Sequence, residues 1–270
     1  MLNKRLISAL GAGLLVLGMA ASAFAAAPGK FTVQADELDY NMKTGEALAK
    51  GHVVITQDNG KVTGDNANYN SKTRTGSLKG NVIADRDGER VTCDEFRIIN
   101  DNDFSAIGNA TVIKDGRKLM AQQIDYNKAR EFAETAGNWA RLTDVDGSTV
   151  EAVKLIYDAK IGLVTATGGV NINSPARKMT AYADKAIYNT KQDGFVELIG
   201  NATATQDGNT IKGDKLRLTN ANNVAVADGN VQIVYVPKQE PAKNKSKDAA
   251  ANDKLTVQPA MVTKENQAEA

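Results

Sequence analysis

Gly76-Ser77-Leu78-Lys79-Gly80-Asn81-Val82-Ile83-Ala84-Asp85-Arg86-Asp87-Gly88 contains one complete structural statement. Leu78, Val82 and Ala84 fall two before, two after and four after Gly80, the period-2 alternation of a strand with one buried face. Asp87-Gly88 is a tight hairpin signal, because both central residues of such a turn take positive φ. Gly80 stands mid-strand and in phase with the buried set, where its role is to bend one long strand around a corner.

The same statement recurs along the chain. Gly51-His52-Val53, Gly80-Asn81-Val82, Gly108-Asn109-Ala110, Gly137-Asn138-Trp139, Gly168-Gly169-Val170, Gly200-Asn201-Ala202 and Gly229-Asn230-Val231 are spaced 28 to 32 residues apart. A fixed period of this size means stacked copies of one supersecondary unit around a continuous interior. Tight pairs follow at Asn59-Gly60, Asp115-Gly116, Asp146-Gly147 and Asp207-Gly208, with Pro175-Ala176 in their place in the fifth unit. Looser turns fall at 42–45, 71–76, 158–162 and 190–194. Two turns per unit make neighbouring strands antiparallel, which a parallel β-helix would not require. The return strands share a second pattern, from Ala35-Asp36 to Tyr40, Ala121-Gln122 to Tyr126 and Ala183-Asp184 to Tyr188. Its three-residue step breaks alternation and predicts a bulge. The expected fold is all-β: an elongated antiparallel β-jelly roll of about seven repeats of two bent strands. At about 4.8 Å per strand it would run roughly 65–70 Å.

Alternation also predicts what faces inward. Val53, Ile55, Leu78, Val82, Val112, Trp139, Val170, Ile172, Leu198, Val231 and Ile233 fall on the inner face, with Arg141 in the same phase. Small aliphatics over seven units leave two readings open, a dry packed core or a groove that admits acyl chains, and their uniformity favours the groove. Arg141 is either bent out to solvent or placed mid-groove against a phosphate. An open stack has two edge strands, expected near Phe31 and Val33 and near Val231, Ile233 and Tyr235. Neither run carries a blocking charge, so both are candidates for strand addition from a partner.

The chain ends read differently. Asn3-Lys4-Arg5, an apolar run from Leu6 and Ala23-Phe24-Ala25 make residues 1–25 a cleavable signal peptide, with retention as an anchor the alternative. Residues 26–236 form the β-domain. Residues 237–270, rich in Lys, Ala, Asn, Gln and Glu, read as a disordered tail. A net charge of +1 over 270 residues argues against a nucleic-acid partner, and the single cysteine, Cys93, excludes an internal disulfide.

Catalytic patterns are missing. His52, the one histidine, occupies the slot that other units fill with Asn, so a turn role is expected and no Ser-His-Asp set forms around it. Asp36, Asp65, Asp94, Asp184 and Asp214 recur once per unit, which suits local backbone hydrogen bonding better than an acid pair in a single cleft. Neither a metal site nor a cofactor is expected.

Ala35-Asp36-Glu37-Leu38-Asp39-Tyr40, then Thr44-Gly45, then Gly51-His52-Val53-Val54-Ile55-Thr56-Gln57 resembles the opening repeat of the OstA-like proteins, the LptA family of lipopolysaccharide-transport bridges. The repeated Gly-Asn-Val and Ala-Asp…Tyr pairs carry the resemblance to about residue 236. It implies a periplasmic, non-enzymatic jelly roll that binds lipopolysaccharide. It also implies end-to-end partners, namely an inner-membrane LptC-like jelly roll, an outer-membrane LptD-like one, and head-to-tail copies of the chain. The alternatives are a membrane-anchored LptC-like component and a structural periplasmic repeat with a dry core. A carbohydrate-active enzyme on a β scaffold is disfavoured by the missing carboxylate cleft.

Overall fold

The computed structural model describes residues 31–57, 59–189, 195–219 and 224–236, all within one unit, Met1–Val236. The expected signal segment, the turn at 190–194 and the tail from 237 lie outside the described residues. The first strands are β1 (Phe31–Gln34), β2 (Glu37–Asn41), β3 (Glu46–Gln57), β4 (Gly60–Asn70), β5 (Thr75–Arg86) and β6 (Glu89–Ile98). The middle is β7 (Asp103–Lys114), β8 (Arg117–Asn127), β9 (Phe132–Thr143), β10 (Thr149–Ala152), β11 (Lys154–Asp158) and β12 (Leu163–Ser174). The chain closes with β13 (Met179–Asn189), β14 (Phe195–Gln206), β15 (Asn209–Thr219), β16 (Val224–Asp228) and β17 (Gln232–Val234). One 3-10 turn, Pro175–Arg177, replaces the fifth tight hairpin.

Each long strand pairs antiparallel with the next, and β1 with β2, β10 with β11, and β16 with β17 each serve as one long strand broken at the corner. This is the antiparallel jelly roll that the repeat predicts.

The corner is built as Gly108-Asn109 shows. Ile107 pairs with Gln123 and Ala110 with Ala121, so two residues of β7 oppose one of β8. Both extra residues are left-handed, Gly108 at φ 76° and Asn109 at φ 48°, which explains why Gly and Asn fill the two slots. Across the other pairing, Asn109 Nδ2 donates to Asp94 Oδ2 at 3.1 Å. The same contact recurs from Asn81 to Asp65 at 3.3 Å, Asn201 to Asp184 at 3.0 Å and Asn230 to Asp214 at 2.9 Å. The repeated aspartates are therefore cross-strand partners of the next corner, where local backbone bonding was expected. His52 plays the asparagine part, its Nδ1 2.7 Å from Asp36 Oδ2. That hydrogen bond, then the charge of Asp36, raises the imidazole pKa.

Bending at every corner turns both halves of each strand toward one core. Leu78 from before a corner and Val82 and Ala84 from after it belong to a single apolar cluster with Val91, Val112, Leu119, Leu155, Leu198 and Leu216. Each Val or Leu among them contributes about 1.5–3 kcal/mol by leaving water. Cys93 lies in this cluster, and burial pushes its thiol up to about 12. The native protein should therefore resist DTNB, whereas guanidinium-unfolded protein reacts at once. Rapid labelling of the native state would show that the walls open at this unit.

Candidate functional site: the apolar interior, its seam and its ends

Eight of the residues expected on the inner face are enclosed: Val53, Ile55, Leu78, Val82, Val112, Val170, Ile172 and Leu198 are at most 6% exposed. The interior between the walls is thus closed and apolar, lined mainly by Ala, Val, Ile and Leu.

Trp139 is the exception in the middle. It is 42% exposed, and Arg141 is exposed beside it, so neither faces the interior. The cause is one additional residue in β9. Ala121 pairs with Ala140 and Gln123 with Ala136, which leaves Gly137, Asn138 and Trp139 opposite Gln122 alone. The phase slips by one, Ala140 and Leu142 take the inward places, and Trp139 turns out. Arg141 pairs instead with Glu151 on the adjacent strand, Nε to Oε1 at 2.6 Å.

Where the tight turns close the units, the interior is edged by polar groups. Gln57, Glu89, Asp144, Ser148 and Ser174 are all buried there. Arg117 Nε meets Asp144 Oδ1 at 3.0 Å, and the Ser148 and Ser174 hydroxyls lie 2.8 Å apart. Glu89 is less well served. Its side chain is 2% exposed, neither carboxylate oxygen has a hydrogen-bond partner, and Lys114 Nζ stands 3.9 Å away. Burial pushes its carboxyl up to about 7, against a smaller opposing pull from Lys114. The tyrosines of the loose-turn rim feel these same groups. Burial pushes Tyr126 up to about 12, aided by the charges of Glu131 and Glu89, and Tyr188 is raised by burial and then by Asp144. The charges of Glu89 and Asp144 at the tight-turn rim thus reach Tyr126 and Tyr188 at the loose-turn rim, and the line between the two rims is a polar seam. The sequence reading missed this seam.

At the ends of the sheet the interior is uncovered. Leu38 and Tyr40 pair with Ala49 and Ala47, so they lie on the inward row, yet each is 54% exposed because no described strand lies beyond β2. At the far end Ile233 pairs with the inward Ile211 but is 67% exposed, with Val231 at 51% and Tyr235 at 71%. Val231 and Ile233 therefore stand at an open edge, where strand addition was expected, with Ile233 on the inward row but uncovered because the last strand has a neighbour on one side only. Val33 is partly buried against the core opposite Ile55, and Phe31 begins β1.

Among the described residues no group of three or more His, Cys, Asp or Glu could hold a metal ion, and no helix is long and apolar enough to cross a membrane. No curated protein matches the chain. Among solved structures it is similar to LptH of Pseudomonas aeruginosa, the LptA-homologous periplasmic component of a lipopolysaccharide transport device. The identity is 17% over 78% of this chain and 97% of that chain, with a TM-score of 0.21. A score that low leaves the family assignment to the sequence models. Residues 20–87 match the LptC-related lipopolysaccharide-assembly family. Residues 61–224, more than half of the 270, match the model for LptA and the LptD N-terminal domain, and the chain belongs to this family of lipopolysaccharide transport proteins.

Proposed function

We propose that this protein is a periplasmic bridge module that carries lipopolysaccharide between the inner and outer membranes by sheltering its acyl chains between the two walls, without catalysis. The observation that carries this reading is the apolar interior, continuous through every unit and left uncovered at both ends of the sheet. Each methylene sheltered contributes about 0.8 kcal/mol, so a single acyl chain offsets the parting of several wall contacts. The polar seam is then the line along which the walls separate, with the sugar and phosphate portion left in water. Photo-crosslinking tests it. A photoreactive residue at inward Ile55 or Ile172 should crosslink to lipopolysaccharide, and one at outward Thr63 or Ile83 should not. Equal labelling from both sets would mean a surface association and a dry core.

The exposed ends support docking of like jelly rolls by strand addition, whether LptC-like, LptD-like or further copies of this chain. Ile233→Lys should abolish concentration-dependent association seen by light scattering while leaving the fold intact. Association that persists in that variant would place the contact elsewhere.

A second reading, a membrane-anchored LptC-like component, is favoured by the match over residues 20–87. The mass of the native N-terminus separates the two, since the bridge begins after Ala25 and the anchored form retains residues 1–25.

A further inference from the structure

The slip in β9 has a consequence on the outer wall. Two adjoining hollows of about 500 and 570 Å³ lie there and share Arg141 and Glu151. Trp139 borders the first and Tyr182, 43% exposed, the second. Pairing aligns these residues in one cross-strand row: Arg141 opposite Glu151, Glu151 opposite Asn171, Asn171 opposite Tyr182, Tyr182 opposite Thr203. Arg141 and Tyr182 are thus three strand spacings apart, about 14 Å. In the other return strands the slot of Tyr182 holds Gln34, Thr63, Thr92, Met120, Glu151 or Lys212. The corner aspartate is also missing here, with Gln122 and Val153 in its place.

The chemistry of this surface narrows what fits it. Arg141 is neutralised by Glu151, so the site has no free cation to select a phosphate. Asn171, Thr180, Thr203 and Thr205 make the second hollow too polar for an acyl chain. The strands β9 to β14 are paired on both sides, so no backbone edge is open to an added peptide strand. What remains is two exposed aromatic faces set among neutral donors and acceptors, a match for sugars, which present apolar C–H faces and uncharged hydroxyls. The geometry points to a saccharide-binding site on the outer wall across β9 to β14, with Trp139 and Tyr182 as stacking platforms and Arg141, Glu151 and Asn171 as hydrogen-bonding partners. It does not depend on the interior's role. The sugar could come from the oligosaccharide of lipopolysaccharide or from another envelope polysaccharide.

Trp139 is the only tryptophan, so the protein's intrinsic tryptophan fluorescence reports this site alone. The full-length protein is titrated with lipid-free core oligosaccharide released from lipopolysaccharide, with an N-acetylglucosamine tetramer, and with a lysophospholipid. A saturable change with either saccharide is expected, and whichever binds more tightly identifies the source. Tyr182→Ala and Asn171→Ala are surface changes that leave the fold intact. Tyr182→Ala should weaken binding at least about fivefold, Asn171→Ala should weaken it as well, and the distant Ile161→Ala should not. No response to either saccharide, a response unchanged in both site variants, or a response to the lysophospholipid alone would overturn the assignment.

Discussion

Gly108→Ala lowers the unfolding free energy by about 2–4 kcal/mol, while Gly88→Ala costs only about 1–2 kcal/mol. Both glycines are left-handed, at φ 76° and φ 79°, so the backbone penalty for an L side chain is shared. The surroundings differ. A Cβ on Gly88 meets nothing within 4 Å, but one on Gly108 would lie 2.2 Å from Asp94 Oδ2 and 2.8 Å from Asp94 Cβ. Rotating the carboxylate away cannot relieve the second contact, so the strands themselves must separate at the corner, and the Asn109–Asp94 hydrogen bond goes with them. Urea midpoints of the two variants measure the difference. In an Asp94→Gly background the Cβ that collides is gone, and Gly108→Ala should then cost no more than Gly88→Ala does, so the double variant loses less than the sum of the two single changes. Equal costs at the two glycines in the parent chain would mean that the corner tolerates the overlap and that the Asp–Asn pair does not set its geometry.

The corner also shows why so much of this fold was legible. A two-against-one bulge demands left-handed backbone at two consecutive positions, and few residues tolerate that, so the requirement is written as Gly-Asn in most units. The inner face was legible for a related reason: alternation is strict between corners, and a buried row accepts only apolar side chains. Trp139 escaped because the reading counted from Gly137 in the phase of the other units, with the bulge expected in the return strand. The stretch Trp139-Ala140-Arg141-Leu142 carried the correction, since placing Ala140 and Leu142 inward puts the arginine in water. The seam was legible too, though less openly. Gln57 stands in phase with Val53 and Ile55, Glu89 with Val91 and Cys93, and Ser174 with Val170 and Ile172. A polar residue as the outermost inward position beside a tight turn marks where the walls meet. The open ends follow from topology, because a strand on the last row has its inward face covered from one side only. What no local pattern could give is the partner relation between each aspartate and the next corner, which joins residues about 15 apart through register alone.

Glu89 makes the seam sensitive to pH, and Glu89→Gln should remove that sensitivity. The carboxyl stands at about 7 in the folded protein against 4.5 for an ordinary glutamate. Between those values the folded state holds the proton and the unfolded state releases it, so stability falls as pH rises through this window. The protonated form stabilises the closed seam fully below about 4.5, and the loss is complete above about 7, amounting to about 3 kcal/mol. The substituted amide matches the neutral acid in size and never ionises. The variant should therefore equal the parent protein near pH 4 and exceed it by up to about 3 kcal/mol at pH 8. Subtracting the two denaturation curves at each pH isolates this one group from every other titrating side chain. A difference that stays flat from pH 4 to pH 8 would mean that Glu89 is hydrated and the seam already parted in solution. If the walls must separate to admit acyl chains, the same substitution tightens the closed state, so lipopolysaccharide loading at pH 8 should drop in the variant. The buried carboxylate, without a hydrogen bond and only weakly countered by Lys114, then has a physical role: at neutral pH and above it keeps the closed interior from being so stable that lipid cannot enter.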